Sequence, residues 1–321
     1  MKAAPGAGRV CPLHYRYCAA AIATTPERET PTLYVIGGLY GNLQALDTIE
    51  AMAAAERVAP RLCFNGDFNW FNVADANFEQ VNQRVLAHDA ILGNVEAEFG
   101  SAADDAGCGC AYPDAVDSGT VDRSNEIHRQ LKATALRHPE ILKKASGLSM
   151  IKRYRVGRCR VGVVHGDAES LAGWRFDVNA LDDTAALPWL RSAFADAEVD
   201  LFASTHTCLP AVRRFALASA TDGGTGCVVN NGAAGMPNFS GDLSGLITRV
   251  ATTPSPHETV CEAQLGDAYV ALLPVRFNVE RWQAEFLAQW PRQSSAWISY
   301  YPRISQGPSY SPARAAMKED V

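Results

Sequence analysis

The sequence lacks the features of several large classes of protein. No apolar run approaches the roughly 18 residues that a membrane-spanning helix needs. Positive charge is not in excess, since the formal net charge of the 321 residues is −6, which argues against binding to nucleic acid or to an anionic membrane surface. The apolar segment 18–23 is too short for the core of a signal peptide. We therefore expect a cytoplasmic protein with neither nucleic acid nor a membrane as its partner.

Short motifs for several common sites are also missing. There is no CxxC pair for a structural zinc site, and nine scattered cysteines, an odd number, do not fit the disulfide framework of a secreted protein. The glycine-rich stretch 231–235 has neither the Lys nor the Ser or Thr of a P-loop, so we predict a turn there. Cys108-Gly109-Cys110 lies in a polar loop where packing offers little reason for two cysteines, and the sequence leaves its role open.

Four short apolar runs each end in a polar residue next to glycine, asparagine or threonine. The polar residues are Asp67, Asn94, His165 and His206. In an open α/β sheet the carboxyl ends of the strands converge on one crevice, so we predict that these four side chains meet at a metal ion. Two imidazoles, a carboxylate and an amide oxygen suit Mn, Fe or Zn and leave positions for water or substrate. The alternative is that each histidine is a hydrogen-bonded residue at a buried strand end.

The alternation of apolar runs and helical periodicity predicts an α/β fold. The run 33–36 followed by an apolar stripe over 43–53 forms a first strand–helix unit, and 123–144 is predicted to be one helix. We predict a domain over 33–290, preceded by an N-terminal extension over 1–32 and followed by a Pro/Ser-rich extended tail over 291–321. The polar stretch 99–122 is a long loop, and such loops are often lids or binding loops.

The order of the polar motifs resembles that of the calcineurin-like metallophosphoesterases, whose blocks run D-x-H-G-N, G-D, G-N-H-D/E, a His at a strand end, and G-H-T-H. The matching segments here are Gly38-Leu39-Tyr40-Gly41-Asn42, Gly66-Asp67, Gly93-Asn94-Val95-Glu96, His165-Gly166 and Thr205-His206-Thr207-Cys208. The likeness covers about residues 33–250. It implies a four-layer αββα sandwich of two mixed sheets and a phosphatase-type hydrolase that uses divalent metal ions.

The departures from the family pattern fall mainly on one of its two metal sites. The family holds the first ion with residues that are replaced here by Gly38, Tyr40 and Cys208, whereas all four ligands of the other ion are matched. The resemblance therefore implies one secure site and one altered site. Tyr40 and Cys208 either rebuild the altered site as phenolate and thiolate ligands or simply fill its space. Val95 replaces the histidine that in the family binds the phosphate and protonates the leaving group.

Three functional hypotheses follow. The first is a metal-dependent hydrolase of a small phosphoester, the second a non-catalytic member that binds a ligand or a protein, and the third a metalloenzyme with non-hydrolytic chemistry. No residue is assigned a catalytic role, because Glu96, Asp167 and Glu169 are interpreted as solvated or structural carboxylates rather than proton donors. The aromatic loop 68–71 is predicted to line the edge of the core rather than to stack on a base.

Overall fold

The computed structural model describes residues 6–101, 106–217 and 224–318. Its strands are β1 (Glu27–Glu29), β2 (Thr32–Ile36), β3 (Arg61–Asn65), β4 (Asp89–Ile91), β5 (Ile151–Val156), β6 (Cys159–Val164), β7 (Leu201–Ser204), β8 (Pro210–Ala216), β9 (Thr225–Asn231), β10 (Gly245–Ala251), β11 (Cys261–Leu265) and β12 (Ala268–Val275). Its α-helices are α1 (Ala20–Ala23), α2 (Leu43–Ala55), α3 (Asp75–Val85), α4 (Asn94–Ala97), α5 (Ser118–Ala135), α6 (Pro139–Ser146), α7 (Val178–Leu181), α8 (Leu187–Ala197), α9 (Val279–Gln289), α10 (Ser295–Gln306) and α11 (Pro312–Ala315). Short 3-10 helices lie at Leu13–Tyr15 and Thr184–Ala186.

The strands form two mixed sheets. One sheet has the order β1-β5-β6-β7-β9-β8 and the other the order β11-β12-β10-β2-β3-β4. In the first, β6, β7 and β9 are parallel neighbours; in the second, β2, β3 and β4 are. These parallel strands bring their carboxyl ends to one edge of each sheet, which is the arrangement that the strand-end motifs predicted.

Side chains alternate across the central strands and so build three layers of core. Leu33 and Val35 of β2 pack between the sheets, while Tyr34 and Ile36 pack under the helices of their own sheet. Phe202 of β7 likewise faces helices on the opposite side. Because the central strands are buried on both faces, their sequences are continuous apolar runs. The prediction of a four-layer αββα sandwich is confirmed.

The prediction of an extended tail over 291–321 was wrong in its secondary structure. The Ser294 side chain caps α10 by accepting a hydrogen bond from the Trp297 amide, and α10 buries Ala296 and Ile304 and packs against α5. The prediction took serine and proline as signs of an extended chain. Serine is also a preferred N-cap residue, and here it begins a helix. The N-terminal segment also contributes an edge strand, β1, which pairs with β5. The division of the chain into domains stays a prediction.

The segment predicted as one helix over 123–144 is two helices. Asp117 caps α5 by accepting a hydrogen bond from the Thr120 amide at 2.9 Å, so the helix begins before residue 123. It ends at Ala135, and α6 begins at Pro139, because a proline disfavours helical geometry in the residue before it. Within the described ranges, no helix is both long enough and apolar enough to pass through a membrane.

Candidate metal centre

The four predicted ligands lie at the carboxyl ends of strands from both sheets. Asp67 follows β3 in a left-handed turn, Asn94 begins α4 after β4, His165 follows β6 directly, and His206 lies two residues beyond β7. All four are buried, and His165 is fully so. The fold thus brings together residues that are up to 139 positions apart in the chain.

His165 lies at the middle of the group. Its Nε2 atom is 3.1 Å from Asn94 Oδ1 and 3.2 Å from His206 Nδ1. The same atom is 3.4 Å from Asp67 Oδ1. One ligand atom from each of Asp67, His165 and His206 lies within 4.8 Å of the other two.

Carbonyl groups around the centre decide which atoms face inward. His165 Nδ1 is 2.8 Å from the Asn65 carbonyl, and His206 Nε2 is 3.1 Å from the Cys110 carbonyl. A carbonyl only accepts, so these nitrogens carry the protons of the neutral imidazoles and the inward nitrogens carry lone pairs. The Asn94 amide donates to the Cys108 carbonyl at 2.9 Å, which turns its oxygen inward. Outer carbonyls that orient ligands in this way are typical of metal sites.

The inward-facing atoms together form a set of possible metal ligands. Two imidazole nitrogens, the Asp67 Oδ1 atom and the Asn94 amide oxygen converge there, and this set of ligand atoms fits a divalent cation. Asp67 Oδ1 also accepts a hydrogen bond from the Val95 amide at 3.2 Å. Burial raises the pKa of Asp67, but the neighbouring His165 outweighs it and holds the pKa below its usual range. Burial, together with His165, lowers the pKa of His206 to about 3. Both groups are thus in the forms that bind metal near neutral pH.

Comparison with known proteins bears on the fold of the chain. No family model and no curated protein matches the sequence. Among solved structures, a metallophosphoesterase from Sphaerobacter thermophilus is 17% identical with a TM-score of 0.51, and the match covers 86% of this chain and 100% of that one. A hypothetical protein from Pyrococcus horikoshii OT3 is 12% identical with a TM-score of 0.53, covering 87% and 99%.

The chain has the calcineurin-like metallophosphoesterase fold. The resemblance drawn from its motifs is confirmed at the level of fold. The roles of individual residues rest on the geometry of the chain itself.

Two carboxylates beside the centre of this metallophosphoesterase fold are structural. Glu96 accepts hydrogen bonds from the Asp67 and Asn69 amides at 2.8 and 3.1 Å, and so holds the turn that carries Asp67. Burial, followed by the Asp67 charge, raises the pKa of Glu96 to about 7. Asp167 accepts from the Glu169 and Ser170 amides, both at 3.0 Å. Of the three carboxylates considered from the sequence, only Glu169 has an exposed side chain.

The Cys108-Gly109-Cys110 segment lies against the centre, which the sequence did not reveal. Cys108 and Cys110 form a disulfide with each other. Their carbonyls accept the hydrogen bonds from Asn94 and His206 described above, so this loop positions two of the four predicted ligands through its backbone. Gly109 has φ +67°, and a Cβ there would lie 2.4 Å from the Tyr15 hydroxyl. In the sequence, the signal for this role was two cysteines separated by one glycine in a polar loop.

The altered first site of the fold is filled by side chains. The Tyr40 hydroxyl lies 2.9 Å from Cys208 Sγ, and burial raises the pKa of both groups, so each is neutral. A Cβ on Gly38 would lie 2.9 Å from the Cζ atom of the Tyr40 ring. The ring therefore occupies the space that a side chain at position 38 would enter. This arrangement favours the interpretation that Tyr40 fills the vacated space, and metal binding by Tyr40 or Cys208 stays a prediction.

We expect Gly38→Asp alone to add no second metal ion. Position 38 has φ +64°, which costs a non-glycine residue about 1–2 kcal/mol, and the Tyr40 ring blocks the new carboxylate. A triple variant, Gly38→Asp with Tyr40→His and Cys208→His, removes the ring and supplies the donors of the family pattern. Metal analysis of the purified variants after dialysis against a defined ion decides the matter. A second ion in the single variant would show that Tyr40 does not close the site.

Proposed function

We propose that the protein is a metal-dependent phosphoesterase acting on a small phosphoester, with one divalent cation held by Asp67, Asn94, His165 and His206. The observation that supports this most strongly is the convergence of four possible ligand atoms, three of which belong to side chains whose outward hydrogen bonds turn an acceptor toward the centre when both imidazoles are neutral. Mn, Fe and Zn suit such a mixed nitrogen and oxygen set. The fold of the chain supports a hydrolase, and the cavity described below gives a substrate access to the centre.

The residues of the proposed site have different roles. A bound divalent cation supplies Lewis-acid polarisation and a water of lowered pKa. His165 is fully buried and faces the back of the centre, whereas Asp67, Asn94 and His206 also line the cavity through which a substrate would enter. The outer carbonyls and Glu96 keep these side chains in place. Val95 lines the same cavity with an apolar side chain, so it provides no acid for the leaving group.

Activity should therefore depend strongly on the leaving group. Loss of a general acid typically costs a factor on the order of 10²–10⁴ in rate, and an ester whose departing oxygen is already a stable anion avoids most of that loss. We expect bis(4-nitrophenyl) phosphate to be hydrolysed and simple alkyl diesters to be hydrolysed far more slowly.

Metal removal tests the proposal directly. Freshly purified protein should contain about one ion per chain, because the four side chains converge on a single point. Chelation should abolish hydrolysis of bis(4-nitrophenyl) phosphate, and Mn, Fe or Zn should restore it. A chain that neither retains nor rebinds an ion, or a hydrolysis rate unchanged by chelation, would contradict the proposed function.

A non-catalytic ligand-binding member of the fold is the second candidate. It is favoured by the apolar Val95 and by the Tyr40 ring in the altered site, because both remove groups that the family uses for turnover. Stoichiometric metal binding without turnover of any activated diester would support this candidate. An ion lost on mutation of Cys208 or Tyr40, again without hydrolysis, would instead support non-hydrolytic metal chemistry. The cytoplasmic location and the small-molecule partner also stay predictions.

A further inference from the structure

Five aromatic side chains line the cavity beside the candidate metal centre. The cavity has a volume of about 170 Å³, and three of the predicted ligands lie at its base. Its aromatic residues are Tyr40, Trp70, Tyr112, Trp174 and Tyr300. They come from the segment after β2, the loop after β3, the cysteine-containing loop, the loop after β6, and α10. A molecule that reaches the centre from this side must contact these rings.

The wall of this aromatic cavity offers no fixed positive charge. Among the described residues that line it, none is Lys or Arg, and Asp67 is the one carboxylate. Arg303, which lies near Cys208, donates to the Cys208 and Pro237 carbonyls at 2.8 and 2.9 Å. Phosphate groups with two negative charges are usually clamped by Arg or Lys. A phosphodiester, with a single charge, is therefore the better match to this cavity.

Hydrogen bonds within the protein occupy the polar ends of several of these rings. Trp174 Nε1 donates to the Cys110 carbonyl at 3.0 Å, and the Tyr112 hydroxyl lies 3.0 Å from Ser124 Oγ. Tyr300 packs edge-on against Trp70, with ring centroids 6.2 Å apart. Rings held in this way present carbon faces and edges to the cavity, and such surfaces prefer a flat aromatic partner to an aliphatic one of similar size.

The aromatic loop 68–71, which was predicted to line the edge of the core, also contributes to the cavity wall. Phe68 and Phe71 belong to the core, as predicted. Trp70 is also almost fully buried, yet it lines the cavity. The loop is therefore part of the core and part of the wall over the centre.

Resting on the phosphoesterase function above, we propose that the substrates are singly charged phosphodiesters whose departing oxygen is attached to a planar aromatic ring, and that this ring lies in the aromatic cavity. In the reaction, the oxygen of a water forms a bond to phosphorus and the bond between phosphorus and the aryl oxygen breaks. The aryl oxide leaves with the electron pair, and a proton of the water passes to solvent. The products are a phosphomonoester and an aryl oxide, which needs no acid at Val95 in order to depart.

Binding of two unreactive probes separates this proposal from the proposed function. Methyl phenylphosphonate and methyl cyclohexylphosphonate carry the same single charge and differ in the flatness of the ring. We expect calorimetric titration of Mn-loaded protein to show a preference for the phenyl compound on the order of tenfold. Equal affinity would overturn the aromatic cavity proposal even if diesters are hydrolysed. A phenyl preference without hydrolysis of any diester would support the cavity while overturning the phosphoesterase function.

Two adjacent tyrosines of α10 provide a matched pair of variants. Tyr300 lines the cavity, whereas Tyr301 stacks on Phe286 and Trp297 away from it. Tyr300→Leu should remove most of the preference for the phenyl probe and leave the metal content unchanged. Tyr301→Leu should keep both. A phenyl preference that survives Tyr300→Leu together with Trp174→Leu would show that the ring binds elsewhere.

Discussion

His206→Ala is expected to abolish metal binding, whereas Cys208→Ser keeps most of it. The His206 Nδ1 atom faces His165 Nε2 at 3.2 Å, so it is one of four atoms that converge on the centre. Loss even of a group that only orients a ligand costs about 10–100-fold in metal affinity, and loss of a ligand itself should cost more. Cys208 lies two residues further along, but its thiol bonds the Tyr40 hydroxyl, and a serine hydroxyl can take over that contact.

Calorimetric titration of the metal-free proteins with Mn or Zn measures this difference. We expect the affinity of His206→Ala to fall by at least about 100-fold and that of Cys208→Ser to change by less than about threefold. Thermal unfolding without metal is the control, since both variants should remain folded. If Cys208→Ser loses its metal instead, the altered site has been rebuilt around the thiolate and the assignment of a single four-ligand centre is wrong.

Gly66→Ala is expected to destabilise the protein and to disrupt the metal centre together. Gly66 has φ +74°, which costs alanine about 1–2 kcal/mol. An added Cβ would also lie 2.4 Å from the Gly93 nitrogen and 2.8 Å from His165 Nδ1. Relief requires the Asp67 and Asn94 turns to separate, and overpacking of this kind costs about 1–3 kcal/mol more. The total loss of unfolding free energy should be about 2–5 kcal/mol.

Gly266→Ala is the matched control for the backbone term alone. Gly266 has φ +62°, but among the described residues other than its two chain neighbours, no heavy atom lies within 4 Å of the position of its Cβ. The unfolding free energies of the two variants, measured with urea, should therefore differ by the cost of overpacking, about 1–3 kcal/mol. Only Gly66→Ala should also weaken metal binding. Equal stability of the two variants, with normal metal binding in both, would show that the packing of the two turns is not needed for the centre.

The convergence of the four strand-end side chains could be predicted because their signals are local in the sequence. An apolar run followed by a histidine or an aspartate is visible in the sequence and marks the end of a buried strand. Parallel strands bring such ends to one edge of the sheet. The resemblance of the motifs added the order of the blocks and the four-layer sandwich.

The remaining features of the site depend on contacts between distant segments. The carbonyls of Cys108 and Cys110 reach Asn94 and His206, and no pattern in the loop indicates that approach. Tyr300 belongs to a segment that composition alone described as an extended tail, yet α10 carries it to the cavity wall.

The amino-acid sequence by itself determined the α/β class, the strand ends and the identity of four polar side chains, because periodicity and residue type act over a few positions. Only the tertiary structure decided which lone pairs face inward, that the Tyr40 ring takes the space beside Gly38, and that aromatic residues from separate segments form one cavity. These properties arise from packing and hydrogen bonding between residues far apart in the chain, where sequence spacing carries no information on distance.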